Sequence, residues 1–107
     1  MKVPEARLTY EPGRLYLSGM LDADTVTTIY SDGRTLIQRS ANESLVLDMS
    51  RLDASNSSGL ALLIDWLRIA RQNSVQLSLY NLPQQLLDVA RVCGLGDLIE
   101  SMNYATR

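Results

Sequence analysis

The sequence predicts an α/β fold, a four-stranded mixed sheet packed with about three to four helices. Three observations carry that prediction. Stretches with the two-residue period of strands alternate with stretches of helical period in the order β-β-α-β-α-β-α, followed by a short terminal helix. The run Ser44-Leu45-Val46-Leu47-Asp48-Met49 is almost continuously apolar, the pattern of a central strand buried on both faces. At 107 residues the chain suffices for one hydrophobic core and hardly for two, so residues 1–107 are expected to form one domain with its core over about 7–100.

Arg7 to Tyr10 and Arg14 to Leu17 are short alternating runs joined by the turn signal Glu11-Pro12-Gly13, which reads as an opening β-hairpin. Leu15 and Leu17 fall on one side, Tyr16 and Ser18 on the other, and Gly19 is expected to end the strand. Asp22-Ala23-Asp24-Thr25 supplies caps for a helix from about residue 25 to Arg39. In it Val26, Ile29, Tyr30, Gly33, Leu36 and Ile37 recur at the spacing of an inward stripe. Gly33 costs this helix ~1 kcal/mol relative to Ala, so either something packs closely there or the helix is loose.

After the polar link Ser40–Glu43 comes the central strand, and then a helix over about Ser57 to Gln72 with two apolar faces. Leu60, Leu63, Ile64 and Leu67 make one; Leu62, Trp66 and Ile69 make the other. The second face either meets another element of the same domain or belongs to a partner surface, where Trp is enriched. Val75 to Tyr80 alternates as the next strand, and Asn81-Leu82-Pro83 opens a helix to about Cys93 that Gly94 stops. Leu95 to Ile99 reads as a last helical turn and Ser101 to Arg107 as a frayed tail. Strand–helix alternation calls for parallel neighbours joined by right-handed crossovers, with functional loops at the carboxyl ends of the strands.

One such loop organises the chain. In Leu52-Asp53-Ala54-Ser55-Asn56-Ser57-Ser58-Gly59-Leu60 a small-polar cluster gives way abruptly to an apolar helical run. Asn and Ser supply oxygens for the orphan N–H groups of a helix start, and Gly59 admits a close backbone. Two hydroxyls, Ser57 and Ser58, therefore sit beside the positive end of a helix. They serve as an ordinary cap of ~1 kcal/mol or as hydroxyls displayed to a partner or a kinase.

Composition excludes several chemistries. With no histidine, a Ser-His or Cys-His nucleophile pair and a His-based metal site are ruled out within the chain. Neither G-x-x-x-x-G-K-[ST] nor G-x-G-x-x-G occurs. No catalytic residue, metal site or cofactor is expected. A net charge of −2 argues against nucleic-acid binding. The longest apolar run, Leu60 to Ile64, is far short of the ~20 residues of a membrane span, so no direct membrane insertion is expected. The lone Cys93, expected in the core, excludes an internal disulfide and fits a cytoplasmic protein.

Four stretches together resemble the STAS domain family, the sulfate-transporter and anti-sigma-factor-antagonist fold. Leu17-Ser18-Gly19-Met20-Leu21-Asp22 is similar to its L-x-G-x-L-D strand end, and Leu45-Val46-Leu47-Asp48-Met49 to its central strand. Asn56-Ser57-Ser58-Gly59-Leu60 is similar to its D-S-[ST]-G-[LIV] loop, and Val92-Cys93-Gly94-Leu95 with Leu98-Ile99 to its closing pattern. The resemblance spans roughly Leu15 to Ile99. In the sigma-regulating branch it implies phosphorylation of the serine at Ser57 by an anti-sigma-factor kinase, although Asn56 stands where that branch has Asp. The runs Ala61-Leu62-Leu63-Ile64-Asp65-Trp66 and Ala90-Arg91-Val92-Cys93-Gly94-Leu95 look more like the MlaB branch, the STAS subunits of a phospholipid ABC transporter that maintains outer-membrane lipid asymmetry. That implies a non-catalytic subunit bound to an ABC ATPase of the MlaF kind, and through it to an inner-membrane permease. The implied partner-binding residues are Asn56, Ser57, Ser58 and Gly59, with Leu62 and Trp66 as apolar anchors.

Overall fold

The computed structural model describes residues 6–55 and 57–102. Its elements run β1 (Arg7–Glu11), β2 (Arg14–Leu21), α1 (Val26–Arg39), β3 (Ser44–Ser55), α2 (Ser57–Gln72), β4 (Gln76–Tyr80), α3 (Gln84–Val92) and α4 (Gly96–Met102). The strands form one mixed sheet in the order β1-β2-β3-β4. Pro12 and Gly13 fold β1 back antiparallel on β2, with Gly13 at φ +80°, the left-handed position a type II turn reserves for glycine. β2 and β3, and β3 and β4, pair in parallel through the crossover helices α1 and α2.

Alternation decides which face of the sheet is covered. Leu15, Leu17 and Leu21 of β2, Leu45, Leu47 and Met49 of β3, and Leu77 and Leu79 of β4 are buried in one cluster with residues of all four helices. The intervening Arg14, Tyr16, Ser18, Val46, Ser78 and Tyr80 are only half-buried. The expectation that β3 is buried on both faces is therefore corrected: the helices cover one face, and no described element covers the other. Asp48 is the exception on the open side, 6% exposed, because Arg14 lies on it at 2.8 Å.

Burial alone would push the Asp48 carboxyl up; the N–H and hydroxyl of Ser50, the Asn81 amide and Arg14 outweigh it and hold it below the usual range. Asp48 Oδ1 accepts the Ser50 N–H at 2.9 Å and the Asn81 Nδ2 amide at 3.2 Å. Asn81 adopts φ +59°, a conformation its short polar side chain tolerates.

Gly33 explains how α1 and α2 approach each other. A Cβ on Gly33 would lie 2.1 Å from Cζ2 of Trp66 and 2.4 Å from Cε2, so only glycine leaves room for the ring. Trp66 is fully buried and its indole N–H donates to the Tyr30 carbonyl at 3.3 Å. Both apolar faces of α2 are thereby used inside the fold, against the sheet, α1 and α3. Trp66 is a core residue rather than a surface anchor.

Three further expectations change. β2 does not stop at Gly19; that residue takes φ +86° within the strand, beside a register shift, and pairing continues to Leu21. β3 runs on past Met49 to Ser55, since its polar second half is held by β2. Cys93, expected inside, is exposed: α3 ends at Val92, and Cys93 is its C-cap. There the Leu95 N–H returns to the Ala90 carbonyl at 2.8 Å and that of Gly94, at φ +77°, to Arg91 at 3.1 Å, a Schellman closure. α4 reaches Met102, so the first two residues of the expected tail are helical, and 103–107 lie outside the described residues.

Two measurements check this account. Gly33→Ala should lower the urea midpoint, because overpacking costs about 1–3 kcal/mol and outweighs the ~1 kcal/mol that Ala gains in helix propensity. The single tryptophan's fluorescence reports the same contact, and an unchanged or raised midpoint would refute it. Asp48→Asn should cost about 1–3 kcal/mol at neutral pH. A lowered carboxyl pKa stabilises the fold above its unfolded value, so the gap between wild type and Asp48→Asn should close as pH falls below about 4.

Candidate functional site

Unequal strand lengths build the site. Pairing of β3 with β4 ends at Asp48 and Tyr80, whereas pairing of β2 with β3 continues to Leu21 and Ser55. The two central strands thus project beyond β4, and α1 and α2 both start from that end. The turn into α1 is fixed by its own side chains. Asp22 Oδ1 accepts the N–H groups of Asp24 at 2.9 Å and Thr25 at 3.0 Å, while Thr25 Oγ1 accepts the Asp22 N–H at 2.9 Å and donates to the Met20 carbonyl at 2.6 Å. The Thr25 N–H leads the interactions that hold the Asp22 carboxyl below its ordinary range.

Between the first turns of α1 and α2 lies an apolar groove of about 500 Å³, lined by Ala23, Val26, Thr27, Tyr30, Ser58, Ala61 and Leu62. The Trp66–Gly33 contact holds the same two helices together a turn further along. One wall is tied down where the Tyr30 hydroxyl donates to Asp65, which Arg68 also holds. That bond raises the Tyr30 pKa above the ordinary tyrosine range and, from the other side, lowers that of Asp65. Chemically the groove offers small apolar surfaces rimmed by hydroxyls. That lining suits an apolar side chain, and among the described residues no cluster of three or more His, Cys, Asp or Glu could hold a metal.

The residues expected to bind a partner separate into groups. Ser58 and Leu62 line the groove, although Leu62 is only 4% exposed. Gly59 is buried in the first turn of α2, and Trp66 lies in the core. Ser57 opens α2 by its backbone, while its side chain and the whole of Asn56 lie outside the described residues. Sequence reasoning missed the α1 wall, Ala23, Val26, Thr27 and Tyr30. Its signal was present: Val26 and Tyr30 sit in the inward stripe yet remain half-buried at the helix end.

The four-stranded mixed sheet with four helices is the fold of anti-sigma-factor antagonists. It matches the Bacillus cell fate determinant SpoIIAA in its phosphorylated form with TM-score 0.68 and 23% identity, covering 95% of this chain and 92% of that one. An anti-sigma-factor antagonist domain protein from Planctomyces limnophilus matches with TM-score 0.71 and 16% identity, over 96% and 92% of the two chains. The chain belongs to the STAS-domain family: a family model described as Mlab, STAS domain, matches residues 5–100. A chain of the Acinetobacter MlaFEDB complex in its ATP-bound Vtrans2 conformation matches with TM-score 0.71 and 30% identity, covering 82% of this chain and 92% of that one. Comparison with curated proteins gave no match.

Titration checks the groove wall. In a protein carrying ring-labelled tyrosine, the Tyr30 resonance should titrate above the ordinary tyrosine range, and Asp65→Asn should bring it back toward that range. A Tyr30 titration that ignores Asp65→Asn would remove the hydroxyl–carboxylate bond from the site.

Proposed function

We propose that this chain is a non-catalytic STAS subunit that binds the ATPase of an ABC phospholipid transporter of the Mla type, using the groove between the first turns of α1 and α2. The observation that carries the reading is an apolar, hydroxyl-rimmed groove at the STAS loop of a chain 30% identical to one in the MlaFEDB complex. Buried apolar side chains at the centre of a small interface supply most of its affinity. In this reading Ser58, Leu62, Ala61 and Val26 receive an apolar segment of the ATPase, and Asn56, Ser57 and Gly59 complete the loop beside it. Asn56, an amide where a carboxylate is usual, favours a constitutive contact over a switched one. Residues 1–107 act as one domain at the cytoplasmic face of the inner membrane, held there by the ATPase and its permease; no described helix is long and apolar enough to cross a membrane.

The test is affinity purification of the tagged chain from native membranes in mild detergent, comparing wild type with Ala61→Glu and Ser57→Asp. Wild type should bring down an ABC ATPase and its permease. Either variant should reduce recovery at least about tenfold, because an unpaired carboxylate in an apolar contact costs more than about 1.4 kcal/mol. Recovery of a serine kinase that phosphorylates Ser57, without the ATPase, would replace this reading with that of an anti-sigma factor antagonist. There a phosphate of about −1.5 to −2 charge would block the partner.

A further inference from the structure

The groove leaves the opposite face of the sheet unused. That face presents a stacked array: the Arg14 guanidinium lies 5.8 Å from the Tyr16 ring centre and 5.4 Å from that of Tyr80, and Arg51 lies 4.3 Å from Tyr16. Arg51 reaches this face through a β-bulge. Tyr16 pairs with Asp48 but Ser18 pairs with Arg51, so β3 carries one extra residue between them. Strict alternation from Asp48 would turn Arg51 toward the helices; the inserted residue turns it outward instead, and the Ser50 N–H bonded to Asp48 fastens the bulge. Bulges recur where a side chain must be re-aimed.

We propose that this open face is a second interaction surface, on which Arg51, with Arg7 in the same row, takes an acidic segment of a protein partner. Charge complementarity sets the partner's sign. The whole chain carries −2, yet Arg51 is exposed, and its guanidinium lies over the Tyr16 ring. Register sets Arg7 and Arg51 in one row on either side of Ser18, about 10 Å apart at the backbone, two strand spacings. Stacking on Tyr16 fixes the plane of the Arg51 guanidinium, whose N–H edge is the kind that grips a carboxylate in pairs, whereas Arg14 is already held by Asp48. The same stacking argues against nucleic acid: two guanidinia already lie over the Tyr16 ring, leaving little aromatic surface on which a base could stack. Asp48 and Glu11 share this face and would repel a continuous anionic surface such as a bilayer, whereas a short acidic segment can thread between them.

The experiment is fluorescence anisotropy of the full chain with a labelled peptide of alternating Glu and Ala, beside a Gln–Ala peptide, a single-stranded oligothymidylate and phosphatidylglycerol vesicles. Arg51→Glu and Arg51→Lys are the variants, each checked for an unchanged unfolding midpoint. Wild type should bind the Glu–Ala peptide above the Gln–Ala control, more weakly as salt rises from about 50 to about 200 mM. Binding should fall at least about tenfold in Arg51→Glu and measurably in Arg51→Lys, which keeps the charge and loses the stacked fork. Equal binding by Arg51→Glu, no preference for the Glu–Ala peptide, or stronger capture of the oligonucleotide or the vesicles would each overturn the proposal.

Discussion

Trp66 against Gly33 fixes the distance between α1 and α2, and much else depends on that distance. A buried tryptophan removes about 150–250 Å² from water, worth up to about 4–6 kcal/mol, several times the helix propensity that Gly33 gives up. The indole N–H needs a partner in this dry position, and the Tyr30 carbonyl provides it, locking the ring to the helix it packs on. Because Tyr30 also lines the groove, the contact that completes the core sets the width of the candidate site. Core and site are not separable here; loosening one reshapes the other.

The second constraint is the length of β3. Its first half is held between two strands, its second half by β2 alone. The polar second half can be a strand because its ladder bonds go to β2 and its open side needs no apolar cover. It carries the βα loop past the edge of β4, where both helices begin. Asp48 stands at the junction: it is the last β3 residue paired to β4, the acceptor that fastens the bulge and the partner of Arg14. One carboxylate thus serves the sheet, the bulge and the ion pair together.

Most of the architecture was legible in the sequence for simple reasons. The stripe from Val26 to Ile37 marks α1, the Pro12-Gly13 turn marks the hairpin, and Gly94 marks the end of α3. Gly33 pointed either to a close neighbour or to a loose helix, and only the structure shows that the neighbour is Trp66. What was not legible has a common origin in tertiary override of local signals. Ser50 to Ser55 reads as loop, and only pairing to β2 makes it strand. Val46 reads as buried on a second covered face, but no described element lies over it. Cys93 continues the period of Leu86, Val89 and Ala90, yet the helix stops one residue before it can turn inward. Of the loop Ser57-Ser58-Gly59, which stands out as a local motif, Ser58 lines the groove; the α1 wall was missed because a groove between two helices belongs to neither segment alone.

The sheet's connectivity also bears on how the chain reaches this state. The hairpin of β1 and β2 closes over a few residues, an event of microseconds. Every other strand pair must wait for a crossover: Leu15 finds Leu47 only after a loop closure that costs about 3 kcal/mol in chain entropy, before any contact rewards it. The Gly33–Trp66 contact spans a similar interval and falls on the helices that make these crossovers. The indole therefore joins the two halves of the chain late or helps them meet. In either order the groove exists only once α1 and α2 have come together across β3, so a partially folded chain does not present it.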